Sequence, residues 1–219
     1  MTAETPPASG LRLPIGGTSL QSRIAEAAID LFYSRGAAAT TVRDITAACG
    51  LTPGALYNHF SSKEELLFVL IRDIHQLADE GLAAAIAAAG PRPAARLAAA
   101  VRFMVAQAGG LRKHSLVANR DFTALPADMR DEVTDIRRRM RSRFAGILLD
   151  GSEAGDFVLP GGQDRLTASL TANAIGMLCA NISEWTRVDY PVALDELQER
   201  YVLMALRLAG ATGSGAEPG

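Results

Sequence analysis

Capping signals and breaks divide the segment between Thr41 and Phe60 into two very short helices. Thr41 followed three residues later by Asp44 resembles a capping box, with Asp in place of the usual Glu, and predicts a helix start. Gly50 breaks this helix, and Pro53 stands at the first position of the next one, where a missing N–H is harmless. We expect this next helix to end at Phe60. With the helix before them, they make three short helices in about 45 residues, the arrangement of a helix-turn-helix.

The helix that precedes them carries an apolar stripe. Ile24, Ala28 and Leu31 recur at helical spacing, and Gly36 supplies the stop after Arg35. Alanine is abundant and runs of β-branched residues are scarce, which favours helix over sheet. The sequence therefore predicts an all-α fold.

The chain after Phe60 continues in helices. The residues Ser62-Lys63-Glu64-Glu65 predict a second capping box, which opens a long helix that ends before Gly90-Pro91. Gly109-Gly110 is expected to separate two later helices, and a stripe from Met129 to Ile147 marks another. The remaining predicted helices cover 93–108, 111–124, 165–187 and 192–209, for a total of about nine.

Three segments are expected to lie outside helices. Residues 1–18 and 211–219 are rich in Gly, Pro, Ser and Thr and have no apolar period, which predicts flexible tails. The glycine-rich segment Asp150 to Asp164 is predicted to be the one long internal loop.

Charge and cysteine content narrow the function classes. The 22 Lys and Arg against 24 Asp and Glu give a formal net charge of −2, which argues against a polycation that coats nucleic acid or membranes. Cys49 and Cys179 lie far apart, which suits a reducing compartment better than a secreted disulfide scaffold. The first residues lack the parts of a signal peptide, and no apolar run reaches about 18 residues. We therefore expect a cytoplasmic protein without a membrane segment.

The segment that contains the predicted helix-turn-helix resembles a known protein family. The segment SRIAEAAIDLFYSRGAAATTVRDITAACGLTPGALYNHFSSKEELL resembles the N-terminal signature of the TetR family of transcription regulators, over roughly residues 20 to 70. The resemblance implies a DNA-binding domain, which we expect over 19–66, and a ligand-binding and dimerisation domain over 67–210. It also implies a homodimer bound to double-stranded operator DNA.

The third helix has the residue types that a helix in the major groove needs. Leu56 and Phe60 are apolar anchors at i and i+4, and the small Gly54 and Ala55 allow close approach to DNA. Lys63, in the first turn of its helix, is expected to share one phosphate with backbone N–H groups. The predicted DNA-binding residues, most of them implied by the resemblance to hold phosphates, are Thr41, Arg43, Thr52, Gly54, Ala55, Tyr57, Asn58, His59 and Lys63. The alternative is that Tyr57 is a core aromatic and His59 a helix histidine with internal partners.

The helices of the second half are apolar on more than one face, which suits a bundle that either packs solidly or surrounds a cavity. Large apolar side chains are candidates to line a pocket for a small hydrophobic effector, although such residues at helical spacing also suit a plain core. These candidates are Phe103, Met104, Phe122, Met140, Phe144, Met177, Cys179 and Trp185.

The last two helices combine small side chains with large ones, and by resemblance they pair across a twofold axis. The small residues are Ala168, Ala172, Ala174, Gly176 and Ala180, and the large ones are Leu197, Tyr201, Met204 and Leu208.

A basic cluster lies on the helix that contains Met140. One interpretation is a solvent-exposed helix face stabilised by ion pairs such as Asp135 with Arg139. The alternative is an anion-binding rim for a ligand such as coenzyme A. The stretches VANRDFTALPADMRDEV and ISEWTRVDYPVALDEL resemble TetR regulators that respond to acyl-CoA esters, which favours the alternative. The cluster comprises Arg137, Arg138, Arg139, Arg141 and Arg143.

The sequence also bears on two alternative functions, an enzyme and a DNA binder without an effector. His59, His75 and His114 lack ligand-like spacing, and no phosphate-cradling or nucleophile motif is found outside the Gly213-Ser214-Gly215 end, so we expect neither an enzyme nor a bound metal or cofactor. The second alternative is a TetR-like DNA binder whose C-terminal half is only a dimer scaffold or a surface for a protein partner.

Overall fold

The computed structural model describes residues 19–186 and 191–212. The helices of this part are α1 (Ser19–Arg35), α2 (Val42–Ala48), α3 (Pro53–Tyr57), α4 (Lys63–Ala88), α5 (Pro93–Gly110), α6 (Arg112–Arg120), α7 (Ala127–Glu153), α8 (Arg165–Ala180), α9 (Ile182–Trp185) and α10 (Leu194–Leu208). A 3-10 turn, Asp121–Ala124, lies between α6 and α7. Because α8 and α9 form one stretch interrupted at Asn181, the described helices number nine when the two are counted together. The predicted all-α fold of about nine helices is confirmed.

The predicted helix starts around α2 and α3 are correct. The hydroxyl of Thr41 accepts a hydrogen bond from the backbone N–H of Asp44 at 3.2 Å, and the Asp44 carboxylate accepts one from the backbone N–H of Thr41 at 2.9 Å. Gly36 ends α1 at φ +86°, a conformation that glycine adopts readily. Pro53 occupies the first turn of α3, as expected.

Two details at the end of α3 differ from the prediction. The helix ends at Tyr57 rather than Phe60, and Phe60 is buried beyond it. Ser62 accepts the N–H of Glu65 at 3.0 Å as a cap should, but the Glu65 carboxylate accepts the N–H and hydroxyl of Ser61, both at 2.5 Å. These two bonds, the hydroxyl first, lower the pKa of Glu65. The reciprocal half of the capping box is therefore displaced by one residue.

The breaks predicted from glycine are displaced in two places. Gly109 and Gly110 are the last two residues of α5, and the separation from α6 falls one residue later, at Leu111. A Cβ on Gly109 would lie 2.6 Å from Cδ1 of Leu194, so this glycine allows a close packing contact. The helix α7 continues to Glu153, so the predicted loop is shorter and spans 154–164. The predicted helices 111–124 and 165–187 are likewise divided, the first after Arg120 and the second at Asn181.

The chain forms two compact units, each with its own core. Among the described residues, the first comprises 19–77 and 110–136, and the second comprises 78–109, 137–186 and 191–212, so the boundaries fall inside α4, at the end of α5 and inside α7. The first core is built from residues that include Ile24, Phe32, Ile45, Leu56, Leu66, Leu70 and Val117. The second includes Leu82, Leu97, Val101, Phe144, Ile147, Phe157, Ile175 and Tyr201. The boundary predicted between residues 66 and 67 concerns function and remains a prediction.

Within the first unit, basic side chains of α6 contact the C-terminal half of α1. Arg120 donates to the carbonyl oxygen of Phe32, and Arg112 donates to the hydroxyl of Tyr33 at 2.5 Å. Lys113 pairs with Asp30 at 2.6 Å. Because the last carbonyl groups of a helix lack partners within it, Arg120 satisfies part of this requirement for α1.

Within the second unit, the loop 154–164 is anchored at its start. The N–H groups of Asp156 and Phe157 donate to the carbonyl oxygen of Gly151 at 2.8 and 3.0 Å, and Phe157 is buried. Phe157 also forms an isolated antiparallel bridge with Ala211, and Thr212 donates to the carbonyl oxygen of Asp156. The first two residues of the predicted C-terminal tail are therefore held, while the predicted tails 1–18 and 213–219 lie outside the described residues.

Candidate nucleic-acid interface

The two short helices bury one side and expose the other. Ile45 of α2 and Leu56 of α3 are fully buried, and Phe60 is nearly so, which is the arrangement expected of the anchors. Tyr57, one residue after Leu56, is 55% exposed. Its ring therefore lies at the surface of the first unit and is not a core aromatic.

The predicted DNA-binding residues lie on α3, at the start of α2 and at the start of α4. Exposed among them are Thr41, Arg43, Thr52, Gly54, Tyr57 and Asn58, and half-buried are Ala55, His59 and Lys63. A Cβ on Gly54 would meet no heavy atom within 4 Å, so the fold itself does not require a glycine there. Glycine within a helix costs about 1 kcal/mol relative to alanine, and close approach by another molecule is a reason to keep it.

The structure gives Lys63 partners that its sequence position did not reveal. Its ammonium donates to the carbonyl oxygens of Ala37 and Thr40, at 2.9 and 3.0 Å. These carbonyl groups belong to the connection between α1 and α2. Lys63 therefore joins the start of α4 to the segment just before the α2 cap.

A second cation binds the C-terminal end of α2. The guanidinium of Arg23 on α1 donates to the carbonyl oxygen of Cys49 at 2.9 Å, and the Cys49 thiol lies 3.5 Å from the carbonyl oxygen of Arg23. Cys49 is the C-terminal cap of α2 and precedes Gly50. No sequence signal indicated this pair, because its members are 26 residues apart.

The carboxylate of Asp44 forms its bonds within the N-terminal turn of α2 and with Arg35. The backbone N–H of Thr41, then the Thr41 hydroxyl and the Arg35 guanidinium, lower the pKa of Asp44. The Arg35 nitrogen lies 3.4 Å from the carboxylate. Asp44 is therefore ionised at neutral pH, and its charge is matched by local donors.

The candidate effector residues divide into three groups. Phe144 and Cys179 are buried in the core of the second unit, and Phe103, Met104 and Met140 pack against that core. Phe122 packs instead against the core of the first unit. Met177 is 65% exposed and Trp185 37% exposed, so neither is enclosed in the core of the second unit.

The outer face of α8 is a stripe of large apolar side chains. Leu166 is 69% exposed and Leu170 61% exposed, and Met177 continues the stripe at helical spacing. On α10, Met204 and Leu208 are also exposed. The small residues Ala168 and Ala172, which the sequence suggested for pairing, are buried within the second unit, as are Leu197 and Tyr201 of the large set.

This stripe explains one membrane-like signal. The stretch Arg165–Trp185 has the length and apolarity of a membrane span, with a mean hydropathy of 1.2, contrary to the expectation that no apolar run is this long. One side of α8 packs into the core through Ala172, Ile175 and Cys179. The hydropathy is thus the sum of a buried side and an exposed apolar side.

Two arginines of the basic cluster share a buried carboxylate. Arg139 and Arg143 place their Nε atoms 3.1 and 2.8 Å from the two oxygens of Asp79 on α4. Burial opposes ionisation of Asp79, yet the hydrogen bonds from both arginines lower its pKa. Burial, and then repulsion by Arg141, lower the pKa of Arg137 to about 10. Asp79 and Arg137 are therefore charged at neutral pH.

Comparison with known proteins gives matches along most of the chain. A family model described as bacterial regulatory proteins, tetR family, matches residues 24–70, and one described as tetracyclin repressor-like, C-terminal domain, matches residues 90–209. The chain is 46% identical over 54 residues to the HTH-type transcriptional repressor KstR2 of Mycobacterium tuberculosis strain H37Rv. That alignment covers 25% of this chain and 27% of the repressor. The curated relatives matched first by sequence are covered over only 28% of their length.

Solved structures match over far more of the chain. A bacterial regulatory protein in the tetR family from Rhodococcus RHA1 is 30% identical, with a TM-score of 0.78 over 90% of this chain and 100% of that chain. The protein AibR, solved in complex with isovaleryl coenzyme A and operator DNA, is 21% identical, with a TM-score of 0.75 over 88% of this chain and 99% of its own. At that identity, AibR shows a shared fold alone.

Proposed function

Because the chain belongs to the TetR family of bacterial regulatory proteins, we propose that it is a homodimeric repressor that a small hydrophobic effector releases from a palindromic operator. It acts in the cytoplasm, a setting that suits its two free cysteines. The observation that carries the DNA-binding part is the two-sided burial of α3. Leu56 anchors this helix in the core, while Tyr57 and Gly54 face outward.

The proposed contacts with DNA follow from this orientation. In a helix-turn-helix, the second helix enters the major groove and its neighbours hold the sugar-phosphate backbone. Gly54 and Ala55 let the backbone of α3 approach the base edges, and Tyr57 offers its hydroxyl to a phosphate. Thr41 and Arg43, at the start of α2, lie on the flank, where phosphate contacts position the protein without reading sequence.

The proposed homodimer uses the outer face of α8 and α10. Contiguous apolar surface exposed on a folded unit marks an interaction site. A twofold axis brings the same patch of both subunits together. The stripe through Leu166, Leu170 and Met177 can therefore pack against its own copy in the partner subunit. Two recognition helices then read two half-sites about one helical turn apart, which explains the palindromic operator.

The proposed effector is an acyl-CoA. The apolar side chains at the core of the second unit, such as Phe103 and Met140, suit an acyl chain, and the arginines of α7 suit phosphate groups. Further support comes from AibR, a protein of the same fold that was solved in complex with isovaleryl coenzyme A, which is an acyl-CoA. The resemblance of residues 117–133 and 182–197 to acyl-CoA-responsive regulators adds to this support.

Release is proposed to occur by a population shift. The effector binds one arrangement of the helices more tightly than the other, and only this difference in affinity moves the equilibrium. In the favoured arrangement α4 swings, and the spacing of the two recognition helices no longer fits successive grooves.

The test of the effector class is a displacement experiment. A labelled operator duplex, selected by the wild-type protein from a random library, is titrated with acyl-CoAs of different chain length and with the matching free acids. We expect an acyl-CoA to release the protein, and the free acids to release it less well because they lack the phosphates. If no acyl-CoA releases it, the proposed ligand class is wrong.

Tyr57→Ala is expected to weaken binding to the selected duplex about tenfold, which corresponds to the loss of one hydrogen bond to a charged group. The thermal midpoint should stay near that of the wild type, because Tyr57 is largely exposed and packs little against the core. Fluorescence anisotropy measures the affinity, and calorimetry measures the midpoint.

Tyr57→Phe is the matched control, since it keeps the ring and removes the hydroxyl. A loss equal to that of Tyr57→Ala assigns the effect to the hydroxyl, and a smaller loss assigns part of it to the ring. Full affinity in both variants would contradict the placement of α3 in the groove.

A further inference from the structure

Two cations hold the turns on either side of α2, and neither bond was predictable from sequence spacing. Lys63 binds the segment before α2, and Arg23 binds the turn after it. We propose that Lys63 and Arg23 are positioning residues, which set the orientation of α2 and α3 toward DNA through the protein's own carbonyl groups. This inference rests on the proposed operator binding, and it replaces the expectation that Lys63 acts mainly by holding a phosphate.

Lys63 adds two bonds to the segment before α2, in which the carbonyl oxygen of Ala37 also accepts the backbone N–H of Thr40 at 3.3 Å. Ala37 and Thr40 are buried, and the side chain of Thr40 is already used by a bond to the carbonyl oxygen of Gly36 at 2.8 Å. Lys63 donates to the carbonyl oxygens of both residues, and its charge strengthens the two bonds. Two of its three N–H donors are therefore used within the protein. Thr41, the cap of α2, follows directly.

The turn after α2 is held from the opposite side. Arg23 donates to the carbonyl oxygen of Cys49, which is the last residue before Gly50. Gly50 turns the chain at φ +67°, and α3 begins three residues later at Pro53. Arg23 thus fixes the point at which the chain leaves α2 for the recognition helix.

The bonds of Lys63 and Arg23 affect the orientation of α2 and α3 because both helices are short. The helix α2 has seven residues and α3 has five. Isolated helices of this length are unstable, so their directions depend on the turns and on the core beneath them. A turn that loosens at either end of α2 moves Thr41 and Arg43, or Tyr57, relative to the DNA, while the buried anchors keep the unit folded.

The first test measures the turns without DNA. In the full-length protein, Lys63→Met is expected to speed amide hydrogen exchange in residues 36–42, and Arg23→Met in residues 49–53, because local opening becomes easier. Lys113→Met is the control, since it removes a cation of the same unit whose partner is Asp30 on α1, away from both turns. Unchanged exchange in these segments would overturn the proposal, whether or not the protein binds an operator.

The second test measures operator affinity by double-mutant cycles. Lys63→Met is expected to weaken binding to the selected duplex about tenfold, as is Arg43→Met, but the double variant should bind little more weakly than either single variant. Arg43 can contribute little once its turn is loose. If Lys63 holds its own phosphate, the two losses multiply instead, because independent sites are additive in free energy.

The corresponding cycle for Arg23 pairs Arg23→Met with Tyr57→Ala. Losses that multiply would overturn the positioning role of Arg23. A lower thermal midpoint with unchanged operator affinity at a temperature where the variant is folded would also overturn it, because that result indicates a purely structural bond. Arg23→Lys, which keeps a cation near Cys49, should restore part of the affinity. Failure of the wild type to select any duplex would refute the proposed function. The hydrogen-exchange measurement would still test whether Lys63 and Arg23 hold the turns beside α2.

Discussion

Leu170→Glu is expected to convert the proposed homodimer into a folded monomer and to lower operator affinity by a factor on the order of one hundred or more. Leu170 is 61% exposed in the centre of the α8 stripe, so its replacement leaves the core of the second unit unchanged. At a twofold interface the substitution occurs in both subunits and buries two carboxylates of the same sign in an apolar patch. The protein should therefore stay folded and lose only its partner.

The large effect on DNA binding has a simple origin. A dimer that has bound one half-site presents its second recognition helix to the other half-site at a high effective concentration, and such linkage raises overall affinity by about 100-fold to 10,000-fold. A monomer keeps only the single contact. Light scattering after gel filtration gives the mass, and anisotropy with the selected duplex gives the affinity.

Val158→Glu provides the matched control. Val158 is an apolar residue of the second unit that is 58% exposed, but it lies in the loop 154–164, outside the stripe on α8. We expect it to remain dimeric and to bind the duplex as the wild type does. A Leu170→Glu protein that remains a dimer would show that the subunits meet on another face.

The part of the fold that the sequence predicted well is governed by short-range chemistry. The Thr41 cap depends on a residue three positions away, and the Gly36 and Pro53 signals depend on local backbone geometry. The same holds for the exposure of Tyr57, because Leu56 and Phe60 fix which side of α3 faces the core. These features could be predicted because nearly all of their determinants lie within a few residues.

Side chains that join distant parts of the chain escaped prediction. Lys63 reaches carbonyl groups 26 and 23 residues away, and Asp79 meets arginines 60 and 64 residues away. In the sequence, the only feature next to Lys63 is the N-terminus of α4. A helix N-terminus favours an anion, so a phosphate was the expected partner of Lys63. Partner choice at this range depends on how the helices pack, which periodicity does not specify.

The faces of α8 show a related limit. Periodicity indicates that a helix has an apolar side, but α8 has two such sides, one that contains Ala168 and Ala172 and one that contains Leu166 and Leu170. The sequence suggested Ala168 and Ala172 for the pairing face, yet small side chains also suit close packing within one subunit. The structure places them inside and leaves Leu166 and Leu170 outside. Only knowledge of the neighbouring helices decides between the two sides.

Glycine is a similarly ambiguous signal, and Gly151 shows its packing role. This residue lies in the last turn of α7, where the ring of the buried Phe157 covers it. A Cβ on Gly151 would lie 2.2 Å from Cδ2 of Phe157, a distance that forces the ring to move. The ring has little room, because the loop backbone is tied to Gly151 through the N–H groups of Asp156 and Phe157.

Gly151→Ala is therefore expected to destabilise the protein by about 1–3 kcal/mol, the usual cost of overpacking a core. Gly146→Ala, five residues earlier in the same helix, meets no heavy atom within 4 Å and should stabilise by about 0.5–1 kcal/mol, since alanine is the better helix former. Opposite shifts of the urea midpoint would identify the Phe157 contact as the cause. If Gly151→Ala also stabilises, the ring does not lie on Gly151. Phe157→Leu adds a further check, because a smaller side chain leaves space for the new methyl group, so the double variant should lose less stability than the sum of the two single losses.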